Sequence, residues 1–441
     1  MKTISRDKLI FFGGAFLIFA VVQILISLGI LNEFWSTLIR LGAVYAIVSL
    51  GLNLIYGFNG QFSLGQWGFY AIGAYAAADI TYRWTNNQSS LGLTVVFMVI
   101  LLTGLAILGL RMLLSKLRGL DALSAFAIYL FAVIGLGLVG AWIGIKIEPA
   151  ITALLSALPA SASMGIVFFL SVILAGLVAA EISFLFGLPV LTLGSDYFGI
   201  ATLGLTIIVK VLLDNSDTML GFAEMKGARG MIGIPKVTTW FWAFLFLFLI
   251  ILVMRNLLHS SYGRAIVSVR EDEIAAKAMG IDIANYKNLA FVIGSLFAGL
   301  GGGLYAHING FLHPNTFNFI KSFDPMIIIV LGGLGSMTGT IVTSFVWVLL
   351  LEGVLRVVLP PGFETWRYVV YPVILLLVML VRPKGIFGDY EFPFLRQELP
   401  PKFTGKKAFA EAGQDQAEAL QELGLKPDGS VDTSNRKEAT K

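Results

Sequence analysis

Eleven apolar runs, most of them near 20 residues, fill the first 381 of this chain's 441 residues. A helix of about 20 residues rises about 30 Å, the thickness of a bilayer's hydrocarbon core. In hydrocarbon every backbone polar group has to be satisfied within the protein, so unbroken apolar runs of this length are helices. The runs are Leu9–Leu31, Trp35–Phe58, Phe62–Tyr82, Leu91–Leu114, Ala122–Ile145, Ser163–Leu188, Asp196–Asp214, Thr239–Leu258, Asn288–Asn309, Thr338–Leu359 and Trp366–Val381. Composition agrees: 13% of residues are charged and mean hydropathy is +0.84, against about 25% charged in soluble domains. The fold class is all-α, a polytopic integral membrane helical bundle. Two stretches, Gly60–Gly65 and Gly194–Gly204, are Gly-interrupted and are expected to break their helices. The first run has no small-residue cleavage site and reads as a retained helix, not a signal peptide.

Basic residues set the orientation. Arg6 and Lys8 precede the first run, and Arg111, Lys116 and Arg118 flank one turn. Arg255, Arg264, Arg270, Lys277 and Lys287 flank another, and Arg382 and Lys384 follow the last. All four regions are expected in the cytoplasm, with both termini. Parity then requires Asp324–Leu334 to cross as a short segment turning at Gly332–Gly335 on the inner side, giving about twelve crossings. Residues 1–381 form the membrane domain. Residues 382–441, poor in apolar residues, read as a cytoplasmic, largely disordered tail.

One polar stretch stands out. Ser268 and Glu271 have the spacing of a capping box, and Glu271, Asp272 and Glu273 crowd the first turn, where the helix dipole favours acid. Gly280 is placed to end the helix in a left-handed conformation. The expectation is one short water-facing helix, Ser268–Gly280, within a loop spanning 259–287. Its residues Ile274, Ala275, Ala278 and Met279 form a small apolar stripe suited to a partner's groove.

Charges inside apolar runs are few. Lys210 and Asp214 are four apart on one helical face, as are Glu352 and Arg356; pairing within the structure and a proton or ion relay are both open for them. Asp196, with Glu181, is placed near the inner surface. Asn53, Gln61, Ser63, Gly65, Asp196 and Thr202 are candidates for lining a translocation pathway. Satisfying the backbone of broken helices explains such polar residues equally well. The three His residues do not share a helical face, so no metal site is expected. The absence of Cys excludes thiol chemistry. Gly332-Gly333-Leu334-Gly335 lacks the Gly-Lys-Ser/Thr of a phosphate loop and reads as a membrane turn. The small net charge of +4 speaks to topology, not to nucleic acid.

Five stretches in order resemble the branched-chain amino acid ABC permeases of the LivM type. They are Gly51–Gly57 running into Gly60–Gly65 and Phe69–Tyr75; Gly194–Phe198 with Thr202–Gly204; Arg270–Gly280 followed by Asn285–Phe291; Val330–Ser336; and Arg382–Gly385. The chain departs from the family pattern at Gly221–Gly230, where a Gly-Gly-Pro turn is common, and over 91–160, which is longer. The resemblance implies an importer subunit of a bacterial inner membrane, with no catalytic residues and no cofactor of its own. It implies a homologous second permease, a periplasmic substrate-binding protein, and two cytoplasmic ATPases that carry ATP and Mg. Arg270, Glu271, Asp272, Ile274, Ala275, Ala276 and Gly280 are then the ATPase-coupling residues, and transport is by alternating access. An ion-coupled secondary transporter of small polar solutes, or an ABC permease for amides or urea, are the alternatives.

Overall fold

The computed structural model describes residues 6–114, 122–191, 195–218, 223–358, 373, 376–388 and 390–395. Long helices follow the apolar runs: α1 Arg6–Ser27, α2 Glu33–Leu52, α3 Gln66–Asn87, α4 Leu91–Leu114, α5 Ala122–Ser156, α6 Ala160–Val190, α7 Ser195–Asp214 and α8 Trp240–His259. Two short helices, α9 Ser261–Glu271 and α10 Glu273–Ala278, lead into α11 Ile283–Asn309. Then come α12 Phe323–Gly332, α13 Met337–Val348 and α14 Leu355–Val358, the last two joined by a wide π turn at Leu349–Val354. Among the described residues, a single two-residue antiparallel pair, β1 Met231–Ile232 with β2 Phe311–Leu312, ties two loops together. Among the described residues, nine helices are long and apolar enough to cross a membrane. The chain is thus a polytopic all-α membrane protein.

Helix α11 is the hub. It packs on α2, α3 and α6, and small residues let the backbones approach, the packing mode of helices in lipid. A Cβ on Gly73 of α3 would sit 2.2 Å from the carbonyl oxygen of Gly299 on α11. On the outside, α1 and α5 leave large apolar side chains such as Phe16, Leu17, Phe131 and Leu138 exposed, as lipid-facing helices do.

Several expectations are corrected. The break at Gly60–Gly65 forms: α2 widens into a π-helix at Asn53–Phe58, and helix resumes only at Gln66. The break at Gly194–Gly204 does not form over its described part, because α7 runs unbroken from Ser195 through Gly204 to Asp214. A glycine in a helix with open space around it costs stability without breaking the helix, and Gly204 has no atom within 4 Å of a would-be Cβ. Gly194 lies outside the described residues.

Asp324–Leu334 is not a full crossing. Helix α12 has 10 residues, about 15 Å, half the hydrocarbon thickness. The chain reaches α12 by turning into the protein after Gly310. The indole Nε1 of Trp67, at the start of α3, donates to Thr316 O at 3.0 Å on the way. The run Trp366–Val381 lies mostly outside the described residues; its part at 376–381 is helical.

Described residues past 381 also contact the bundle. Ile386 N donates to Leu331 O at 2.7 Å. Phe394 stacks on Phe11 of α1, and its carbonyl accepts from Arg255 Nε at 2.7 Å. The rest of the expected tail, from Arg396, lies outside the described residues.

Candidate coupling and pathway site

The four basic regions expected on one side are gathered at one end of the bundle, as far as they are described. Arg111 of α4 reaches Asn285 at the start of α11, and Arg255 closes α8 against Phe394. Arg270 reaches the π-helix of α2. Lys116 and Arg118 are outside the described residues.

The expected helix Ser268–Gly280 is two helices, and the capping box does not form. Ser268 lies inside α9, its hydroxyl bonded back to Ala265 O at 2.8 Å. The cap is Asp272. Its backbone is extended, with φ −159° and ψ 108°, and its carboxylate accepts from the Ile274 and Ala275 amides at 2.8 and 3.0 Å. Asp is among the strongest N-cap residues, and Glu273 follows it in the first turn. The acidic cluster was therefore read correctly as a helix start, but four residues early.

The other end of α10 forms as expected. Gly280 is left-handed at φ +81°, and Ile281 N reaches back to Ala276 O at 3.1 Å, the bond of a Schellman motif. Lys287 pairs with Glu273 at 2.5 Å and anchors α10 to α11. The segment is no loose loop: α8, α9, α10 and α11 follow one another with one to four residues between.

On this frame the expected coupling residues separate into two groups. Ile274 and Met279 are 84% and 82% exposed, and Ala275 and Gly280 beside them are exposed too. Ala276 is buried. Asp272 is used by the cap. Arg270 turns inward: its Nη1 donates to Gly57 O at 2.5 Å, and its other donors hold Glu271 at 2.7 Å.

Arg270 thereby joins a cluster of backbone groups freed where helices stop. Gly60, with φ +77°, leaves the space occupied by the Arg270 stem, 3.0 Å from where a Cβ would stand. Gly335, at φ +83° in the α12–α13 turn, lies 3.2 Å from the guanidinium by the same measure. Asn53 fastens the π-helix to that turn. Its amide donates to Ser336 O and Thr340 Oγ1 at 3.0 and 2.9 Å, and its oxygen accepts from Gly335 N at 2.9 Å.

The other expected pathway residues line the broken segment. Gln61 and Ser63 are buried; Gln61 accepts from Asn59 at 2.9 Å and Ser63 from the Gly65 amide. Thr202 of α7 accepts from Leu64 N at 3.1 Å, and Thr206 donates to Leu64 O at 3.2 Å. Two threonines one turn apart thus satisfy the unwound backbone, as irregular chain at membrane depth requires. Gly65 lets Thr202 approach to 3.0 Å of a would-be Cβ. The side chain of Asp196 lies outside the described residues. Thr206 was legible from its spacing to Thr202; Gly335 lies in the turn expected at Gly332–Gly335, and Gly57 closes the Gly51–Gly57 stretch, but neither stretch shows that Arg270 reaches it.

Glu391 was also missed. Its carboxylate accepts from the Met337 and Thr338 amides at the N-terminus of α13 and from the Thr338 hydroxyl at 2.5 Å. Burial raises its pKa above the usual carboxylate range, and the hydrogen bonds to Thr338 and Met337 oppose that shift.

Lys210 and Asp214 do pair, at 2.6 Å. No cluster of His, Asp and Glu able to hold a metal occurs among the described residues.

A family model described as branched-chain amino acid transport system / permease component matches residues 34–155 and 118–379. The high-affinity branched-chain amino acid transport permease protein LivM of Escherichia coli is 28% identical over 420 residues, covering 86% of this chain and 76% of the relative. A probable LivM of Methanocaldococcus jannaschii is 26% identical over 51% of this chain and 69% of its own length. The permease protein LivH of Salmonella typhimurium is 32% identical over 30% of this chain and 42% of its own. No solved structure matches.

Proposed function

The chain belongs to the branched-chain amino acid transport permease family, and from that premise we propose that it is the transmembrane permease subunit of an ATP-driven importer for branched-chain or other hydrophobic amino acids. It works beside a homologous second permease in a bacterial inner membrane, with both termini in the cytoplasm. A periplasmic binding protein delivers the solute. Two cytoplasmic ATPases, which carry ATP and Mg, drive alternating access by docking on α10.

The observation that carries this reading is the apolar surface of α10. Ile274 and Met279 are among the most exposed large apolar side chains described, on a short helix at the basic end. Fully exposed apolar residues on a capped, anchored helix suit a partner's groove. Arg270, one residue before the Asp272 cap, supports the second half of the mechanism. A displacement of α9–α10 pulls on Gly57 of the π-helix and on the Gly335 turn together. Both belong to elements that stop at membrane depth, where a small shift opens or closes a path. Thr202, Gln61, Ser63, Gly65 and Asn53 are the proposed supports of that moving segment.

The test is reconstitution with candidate ATPase and binding-protein partners. Ala275→Arg places a long cation on the docking face without touching the core. It is expected to cut solute-stimulated ATPase activity and uptake about tenfold or more, a loss near 1.4 kcal/mol in coupling. Unchanged uptake and unchanged ATPase recruitment would refute docking at α10. Uptake that follows the proton gradient without any ATPase favours ion coupling instead.

A further inference from the structure

A cavity of about 660 Å³ opens at the end of the bundle opposite the coupling segment. One wall is a stripe of α2, Phe34, Thr37, Leu38, Leu41 and Tyr45, whose spacings of three and four residues put them on one helical face. The facing wall is Val348, Glu352 and Arg356, each one turn beyond the last, along α13 and its continuation. The two helices run in opposite directions. Phe34 and Arg356 therefore lie toward the mouth, and Tyr45 and Val348 lie deep. The loop that dips before α12 closes the third side with Asn315, Thr316 and Lys321. Trp67 forms the floor. Its indole N–H is already spent on Thr316 O, so it offers the cavity an apolar ring, with Tyr45 5.7 Å away centroid to centroid.

The geometry points to this cavity as a receiving site for a zwitterion with an aliphatic side chain, an inference that rests on the transport reading above and adds where the solute sits. Glu352 meets the ammonium and Arg356 the carboxylate; Lys321 is already paired with Asp324 at 3.2 Å and only borders the site. The side chain goes down against Leu41, Tyr45 and Trp67. A site with a few polar groups at one end and aromatic walls at the other is the usual build for a small ligand, and the volume falls in the range of such sites. A neutral amide or urea needs neither charge and gains nothing from the apolar floor.

The chain has no cysteine, so a single introduced thiol reports on one place. Leu41→Cys puts it inside the cavity; Asn87→Cys puts it on the exposed end of α3 as a control. Labelling of the full transporter by a membrane-impermeant maleimide is timed with and without ligands. Leucine is expected to slow labelling of Leu41→Cys about tenfold at saturation and to leave Asn87→Cys unaffected. Leucine methyl ester, which lacks the carboxylate, and 4-methylpentanoate, which lacks the ammonium, are expected to give little protection. Glu352→Gln and Arg356→Gln in the Leu41→Cys background are expected to abolish it, while Asn87→Cys carrying the same changes still labels at the normal rate.

Equal protection by urea, acetamide or either half-ligand overturns the zwitterion assignment. Leucine import by the wild-type complex with no protection at Leu41→Cys overturns the cavity as the site. A wild-type complex that imports no amino acid overturns the transport reading itself, and the assignment with it.

Discussion

The side chain of Arg270 runs from the end of α9 into a crevice whose walls, Gly60 and Gly335, have no side chains. Its guanidinium holds a carbonyl that the π-helix leaves unpaired and, on the other edge, Glu271. Only a planar fork reaches both at once. Arg270→Lys is therefore expected to behave nearly as Arg270→Ala, lowering uptake about tenfold while ATPase binding to the complex is kept. Loss of ATPase binding in Arg270→Lys would place this residue on the docking surface instead. Asp272 is the residue whose removal tests the helix itself. Asp272→Ala costs about 1 kcal/mol of cap and should speed hydrogen exchange at the Ile274 and Ala275 amides before it changes any other part of the protein.

Glu391 adds a pH dependence of definite sign. Its pKa is raised, chiefly by burial and against its hydrogen bonds, so the folded protein binds this proton more tightly than the unfolded chain does. Its contribution to stability is greatest below the usual carboxylate range and falls as pH rises through the raised value. The thermal midpoint of the wild type should drop from acid to neutral pH relative to Glu391→Gln. A constant offset between the two at every pH would contradict this.

At the scale of elements, the spanning helices were legible because apolar length in a bilayer leaves the backbone one solution. Helix α4 has the limits read from sequence, and α2 with its π-helix ends at Phe58 as the run does. The errors share a cause. Ser268 and Glu271 carry a genuine capping pattern, yet the backbone stops at Asp272, whose shorter side chain competes better for the next amides. Gly204 looks like a breaker and is merely a helical glycine, because nothing at that level of the bundle needs α7 to unwind. At Gly60–Gly65 something does: Thr202 and Thr206 stand ready to bond the unwound chain. Whether a glycine run breaks a helix was thus decided by another helix, which local sequence does not contain. The α3–α11 contact obeys the same logic. Gly73→Val drives a branched side chain into the Gly299 carbonyl and is expected to cost about 1–3 kcal/mol, seen as a lower detergent-melting midpoint. Gly109→Val, with open space around it, should cost far less.

Over the whole molecule, the burial pattern separates an enclosed pair of helices from an exposed rim. Helices α2 and α11 are the most enclosed of the nine candidate spans, with 78% and 72% of their windows buried, while α1 and α5 have 0% and 11%. The enclosed helices carry the broken segment, the Arg270 contact and one wall of the cavity; the exposed ones face lipid. The cavity is half encoded in sequence: the α2 stripe is visible as a helical face, but the dipping loop that completes it is read there only as a connection. The topology is testable as a unit. A reporter fused at Ser336 should report the same compartment as one at Gly280, since Arg270 touches both neighbourhoods; opposite compartments would break the arrangement.

The capping of α13 by Glu391 has a consequence for how the protein is made. The helix start and its carboxylate are 54 residues apart, and Phe394 closes over Phe11, near the beginning of the chain. During synthesis the α12–α13 hairpin must wait, with its first amides uncapped, until Glu391 has left the ribosome. Phe11 of α1 likewise has no Phe394 to stack on until that much later residue is made. The Glu391 and Phe394 contacts therefore form after the long helices they join, and a chain cut before Glu391 lacks both.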